Sequence, residues 1–231
     1  MINLRDRLLQ LREEEEGSGQ TWAVFADMAL ALLLVMVLFI LAQFLHYEDV
    51  AVLEEIDRRR GEVAELIRTS AERAPITPAQ LEQLTIRSEG FAAQRIRFPE
   101  PMLFGSCETD PQPQGVTLVE EIGQELEPRG SYFEAIQIEG HADITPPTGA
   151  CEQLVGDNWG LSSMRATSFL RILVSPEIFS RRDLVSAVGR GDSQRLTEPG
   201  APPEELVLDR RVELILQYSE EDARRALRER E

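Results

Sequence analysis

The residue best placed for chemistry is a carboxylate in an apolar setting. Asp27 stands in TWAVFADMALALLLVMVLFILAQFL, Thr21 to Leu45, and from Met28 onward only Gln43 is polar. Counted from Trp22 it lies about 7.5 Å into a helix rising 1.5 Å per residue. An aspartate at the centre of a membrane helix costs roughly 2.5–3.5 kcal/mol, less near an interface, so it turns toward protein or water. There it can bind and release a proton or Na⁺. Ala23 and Ala31 lie one turn either side of it, and Ala26 and Ala29 are adjacent, so another helix can approach closely. The competing reading makes Asp27 the mark of a helix end at the headgroups.

Other reactive residue types are sparse. Cys107 and Cys151 are too few and too far apart for zinc spacings, though they can form one disulfide. His141 has no second His or Cys at ligand spacing, so a hydrogen-bonded loop residue is expected there and no metal site. No nucleophile–base pair stands out, and no enzyme is expected. All 24 basic residues are arginine, set against 41 acidic ones for a net charge of −17. That balance and the lack of a basic stripe argue against nucleic acid as a partner.

The apolar run must be a helix to satisfy its backbone, and Trp22 to Leu45 is long enough to cross about 30 Å of hydrocarbon. A cleaved signal peptide needs a basic leader and a core of about 7–15 apolar residues. Here the leader carries Glu13 to Glu16 and the run is longer. Arg5, Arg7 and Arg12 precede the span, whereas His46 to Asp57 holds no arginine, which places the N-terminus inside. Both cysteines then lie outside the cytoplasm, where a Cys107–Cys151 disulfide persists.

Beyond the span, Glu48 to Ala74 has apolar residues at helical spacing, with Gly61 a candidate break, and reads as a connector or a helix pairing with a copy of itself. Pro75 and Pro78 end it, and Ile76 to Ala93 reads as a short helical lead-in to a domain starting near Phe91. Strands are expected at Gln94–Phe98, Ala135–Glu139, Leu184–Val188 and Val212–Tyr218, with helices at Pro113–Leu126 and Gly160–Val174. That order gives an α/β domain, a mixed sheet with helices on one face. The tail after Glu220 reads as a frayed, charged helix in solvent.

The span, with its aromatic-Ala-Asp step opening a Leu-rich run, resembles the membrane helix of the MotB family of ion-driven stator subunits. The likeness covers about twenty residues and implies an ion-binding role for Asp27. In the soluble region, IQIEGHADITPP (Ile136 to Pro147), NWGLSSMRATSFLRILV (Asn158 to Val174), AVGRGDSQ (Ala187 to Gln194) and DRRVELIL (Asp209 to Leu216) together resemble the OmpA-like peptidoglycan-binding domain. That resemblance implies that Asp143 and Arg165 grip the diaminopimelate of the wall peptide, with Asn158, Leu161 and Arg211 on further motif positions. The ligand's ammonium and carboxylates call for one anion and one planar cation close together. Taken alone, Asp143 and Arg165 read equally well as a salt bridge pinning loop to helix. Ala142 stands where the family usually has Thr, and the loop Ile144 to Asp157 carries an insertion with Pro146, Pro147 and Cys151.

The expected organisation is therefore a cytoplasmic tail over 1–21, a transmembrane helix over 22–45, periplasmic linker helices over 46–90, an OmpA-like domain over 91–218 and a charged tail over 219–231. The resemblance implies a single-pass bacterial inner-membrane protein, a multi-spanning MotA-like partner, a homodimer, attachment to peptidoglycan, and no cofactor beyond the transported H⁺ or Na⁺. The short chain and brief linker resemble the MotB-like subunit of the Zorya anti-phage system more than a flagellar stator, and the acidic leader departs from the basic tail common in flagellar members. The alternative is a wall tether of an envelope or secretion complex without ion transport.

Overall fold

The computed structural model describes the backbone of residues 4–230 and the side chains of residues 22, 24–43 and 50–230. Expectations resting on the side chains of Arg5, Arg7, Arg12, Ala23 and His46 lie outside the described residues. The chain forms two compact units, Met1–Ala51 and Val52–Glu231. Helix α1 (Leu4–Arg73) supplies the first unit. Its segment Val24–Gln43 is long and apolar enough to cross a membrane, and none of it is buried. Asp27 is exposed on that segment. Trp22, Phe25, Ala26 and Ala29 line a shallow hollow, which at 100° per residue lies about 150° round the helix from Asp27.

The second unit is a mixed α/β sandwich. Its elements are α2 (Pro78–Leu81), β1 (Thr85–Glu89), β2 (Ala93–Pro99), α3 (Glu100–Leu103), α4 (Pro113–Leu126), β3 (Phe133–His141), α5 (Ala150–Val155), α6 (Asn158–Leu173), β4 (Val185–Gly189), β5 (Arg211–Tyr218) and α7 (Glu220–Arg228). The sheet order is β1-β2-β5-β3-β4, with only β3 and β4 parallel. Their parallel pairing requires a crossover, and α6 makes it. Alternation sorts the two faces of the sheet. Ile96 and Phe98 of β2, Ile136 and Ile138 of β3, and Val212, Leu214 and Leu216 of β5 are buried in the core with Leu118 and Ile122 of α4 and Phe169 of α6. Gly140 lets α6 press on β3, since a Cβ there would sit 2.1 Å from the Ser162 carbonyl oxygen.

The structure departs from the sequence expectation at four points. The compact unit starts at Val52 rather than near Phe91, because the last turns of α1 are core and not linker: Val52, Ile56, Val63, Ile67 and Ala71 are fully buried. The helix also runs through Gly61 without a break. The lead-in expected as helical over Ile76 to Ala93 holds only the short α2 and then β1, which pairs antiparallel with β2 from Thr85↔Arg97 to Glu89↔Ala93. As an exposed edge strand with Ile86 its one large apolar residue, β1 carries no alternating signal. The charged tail is not a frayed helix either. Ser219 caps α7 by accepting the Asp222 N–H at 3.1 Å, and Ala223 is fully buried.

Charge ties α7 to the end of α1. Glu55 is buried, takes hydrogen bonds from Arg58 and from Arg59 Nε (2.9 Å), and lies 3.0 Å from Arg230. Arg59, also buried, reaches Asp222 at 3.3 Å and stacks 4.3 Å from the Tyr132 ring centroid. The Arg58 hydrogen bonds, acting against burial and helped by Arg59, hold the Glu55 carboxyl down at about 2. Replacing Glu55 with Gln strands buried arginine charge, so the soluble unit should lose about 3 kcal/mol of stability in urea unfolding. An unchanged midpoint would show that the cluster is ornamental.

Candidate functional site

The ends of β3 and β5 and the start of α6 enclose a cleft of about 350 Å³. Its lining includes Glu100, Asp143, Asn158, Leu161, Arg210 and the Cys107–Cys151 pair. Asp157 caps α6 by accepting the Gly160 N–H at 2.8 Å, which sets Asn158 at the first turn. From there Asn158 Nδ2 donates to the Asp143 carbonyl at 2.8 Å, tying the loop after β3 to the helix. The Asp143 carboxylate accepts the Thr145 N–H at 2.7 Å, an Asx turn that holds the loop. Its other oxygen lies 3.5 Å from Arg210 Nε.

Asp143 and Arg165 do not pair directly. Arg165, buried beneath the cleft, bonds Glu100 Oε1, the Glu108 carbonyl (2.9 Å) and the Gly105 carbonyl (3.1 Å), with Phe104 under its guanidinium. Glu100 Oε2 lies 3.2 Å from Arg210 Nε. The charges run Arg165, Glu100, Arg210, Asp143, alternating in sign. Arg210 Nε is buried between the Glu100 and Asp143 carboxylates, while about a third of the side chain stays exposed toward solvent.

The structure gathers Asp143, Asn158 and Leu161 at the cleft, puts Arg165 behind it, and sends Arg211 to the other face of β5. There Arg211 donates to Glu213 at 2.7 Å and to the Asp209 and Gln194 carbonyls at 3.1 Å each. Sequence reasoning missed Glu100 and Arg210. The available signal was an acidic residue inside the apolar stretch FPEPMLF and a second arginine beside Arg211. Cys107 and Cys151 are joined as a disulfide, with Cα atoms 5.8 Å apart, in the cleft wall. The bridge fastens α5 to the loop that supplies both carbonyls to Arg165.

Beneath the sheet, His141 is the end of β3 rather than a hydrogen-bonded loop residue. It is 1% exposed and neither ring nitrogen has a hydrogen-bond partner. Its Nε2 lies 3.6 Å from both Glu139 and Glu213. These three residues bring ligand-type atoms within 4.8 Å of one another. Arg95 already occupies the cation position between the carboxylates, 3.2 Å from Glu139 and closer to Glu213, while Arg97, Arg190 and Arg211 complete the neutralisation. A divalent ion there would face four guanidinium groups, so the residues do not suit one.

Burial, with the Arg211 charge adding to it, pushes His141 below its ordinary value of 6.5 against the pull of both glutamates. Burial would raise Glu139 and Glu213, but His141 beside Glu139 and the arginines around both outweigh it and hold both at about 2. The unfolded chain therefore takes up protons first, and stability is lost as pH falls. His141 contributes a loss below about pH 6.5, and the two carboxylates contribute one from about pH 4.5 down to 2. Thermal midpoints measured from pH 8 to 3 should fall in two stages, and His141→Gln should abolish the first. A flat profile from pH 8 to 5 in the unaltered chain would contradict this account.

The second unit has the fold of MotB-like periplasmic domains. It superposes on a putative MotB-like protein from Desulfovibrio vulgaris with a TM-score of 0.58 at 21% identity, over 72% of this chain and 99% of that one. The cell wall anchor of the T6SS from Pseudomonas aeruginosa matches with a TM-score of 0.50 at 20% identity, over 61% and 92%. The periplasmic domain of Helicobacter pylori MotB gives 0.50 at 15%, over 60% and 81%. No family model and no curated protein matches the chain.

Proposed function

We propose that this chain is a wall-anchored, single-pass subunit of an ion-driven membrane motor, with its soluble unit in the periplasm. The observation that carries this reading is the joining, on one chain, of an apolar span bearing Asp27 to a unit with the fold of MotB-like periplasmic domains. Asp27 binds the permeating H⁺ or Na⁺ against a multi-spanning MotA-like partner. The hollow at Ala26 and Ala29 faces the other way and suits close approach by a second copy, as a homodimer needs. The acidic leader and the short segment between span and domain favour a Zorya-type anti-phage complex over a flagellar stator.

In the periplasm the cleft takes the peptide stem of peptidoglycan. Asp143 receives the diaminopimelate ammonium, and Arg210, with Arg165 behind it, receives a carboxylate. Asp143→Ala or Arg210→Ala should reduce co-sedimentation of the protein with purified peptidoglycan about tenfold or more, since each leaves a buried charge unmatched in the complex. Sedimentation equal to the parent in both variants would move the cleft out of wall binding.

A tether without ion transport is the second reading, supported by the likeness to the T6SS wall anchor. Asp27→Asn separates the two, because Asn keeps the shape and hydrogen bonding of Asp but carries no exchangeable charge. The motor reading expects loss of biological activity with membrane insertion and partner assembly intact. Full activity at matched protein levels would leave only the tether.

A further inference from the structure

An aromatic ring one residue along α6 from cleft-lining Asn158 plays no part in the assignment above. Trp159 follows Asn158 in the first turn of α6 and is 51% exposed. A Cβ placed on Gly191 would meet three atoms of its indole at 3.0, 3.1 and 3.2 Å. Near-equal distances to three ring atoms mean that the indole lies face-on over Gly191, and half of the residue stays exposed. At φ +53°, and with no space for a side chain, that position suits glycine.

The support is rigid. The Gly191 N–H donates to Ser162 Oγ at 2.9 Å, Ser162 Oγ donates to the Trp159 carbonyl at 3.1 Å, and the Gly191 carbonyl accepts the N–H of cleft-lining Ala142 at 2.8 Å. The turn under the ring is thus tied to the backbone of α6 and of cleft-lining Ala142. A half-exposed indole laid face-on against the backbone presents flat apolar surface on which a ligand with a flat apolar face can stack. Asp192 and Ser193 continue the turn beside it and offer groups for hydroxyls. An anionic lipid surface is a poor match for a chain of net charge −17.

We propose that Trp159 is the stacking platform for a pyranose ring of the wall glycan, linked through Asn158 and Ala142 to the cleft that takes the peptide stem. This inference rests on the wall-anchoring reading and extends its ligand from peptide to saccharide. A pyranose presents a face of C–H groups ringed by hydroxyls, which matches an indole bordered by polar side chains.

The full chain carrying Trp22→Phe leaves Trp159 as the single tryptophan, so its emission reports directly on this site. Two probes are titrated: a diaminopimelate-containing stem tripeptide, and the same peptide on N-acetylglucosaminyl-N-acetylmuramic acid. The disaccharide-peptide should shift Trp159 emission and bind about tenfold tighter than the bare peptide. Trp159→Ala should erase that difference while leaving bare-peptide affinity unchanged, and Trp159→Tyr should keep part of it. Equal affinity for both probes with no emission change overturns the platform and leaves wall binding standing. If neither probe binds, the wall-anchoring reading falls and the platform falls with it.

Discussion

Glu100 is the carboxylate on which the cleft depends. Arg165 is buried almost completely, and a guanidinium in that position without a counter-charge would cost several kcal/mol. Glu100 neutralises it and turns its other oxygen to Arg210, which in turn approaches Asp143. Two cations and two anions leave the group neutral, so a zwitterionic ligand can enter without burying net charge. The ion chain also explains the Pro99–Glu100–Pro101 step at the end of β2, which starts α3 there and places the carboxylate under the cleft.

The same central strands solve a second electrostatic problem on the opposite face. Glu139 and Glu213 are cross-strand partners, two carboxylates side by side in the middle of the sheet. Left alone they would force β3 and β5 apart. Arg95 reaches between them from β2, and Arg97, Arg190 and Arg211 close the outer sides. The sheet is therefore apolar toward its helices and ionic beneath. His141 and Arg211, also cross-strand partners, join this lower layer to the strand ends that carry Asp143 and Arg210.

Much of this was legible in the sequence because alternation and helical spacing follow burial directly. Pro113–Leu126 was read to the residue, and the other main strands and helices to within two or three positions. The edge strand β1 escaped because exposure removes the apolar alternation that marks a strand. The core role of Val52 to Ala71 was hidden by the many charges among which its apolar residues sit. In the cleft, motif positions pointed to Asp143, Asn158 and Leu161, yet Glu100 and Arg210 came into view only through contacts across long stretches of chain. Pairing is a three-dimensional property: Glu100 stood out as a lone acid among apolar residues and Arg210 as a second arginine beside Arg211, but neither signal named a partner.

The Cys107–Cys151 bridge closes a covalent ring that contains α4 and β3. A protease cutting once inside that ring, for instance at the partly exposed Glu108–Pro111 segment, would produce two polypeptides that cannot diffuse apart. Both walls of the cleft would stay attached to the same molecule, and β3 would keep its place between β5 and β4. Such a ring turns a backbone break from a lethal lesion into a tolerated scar.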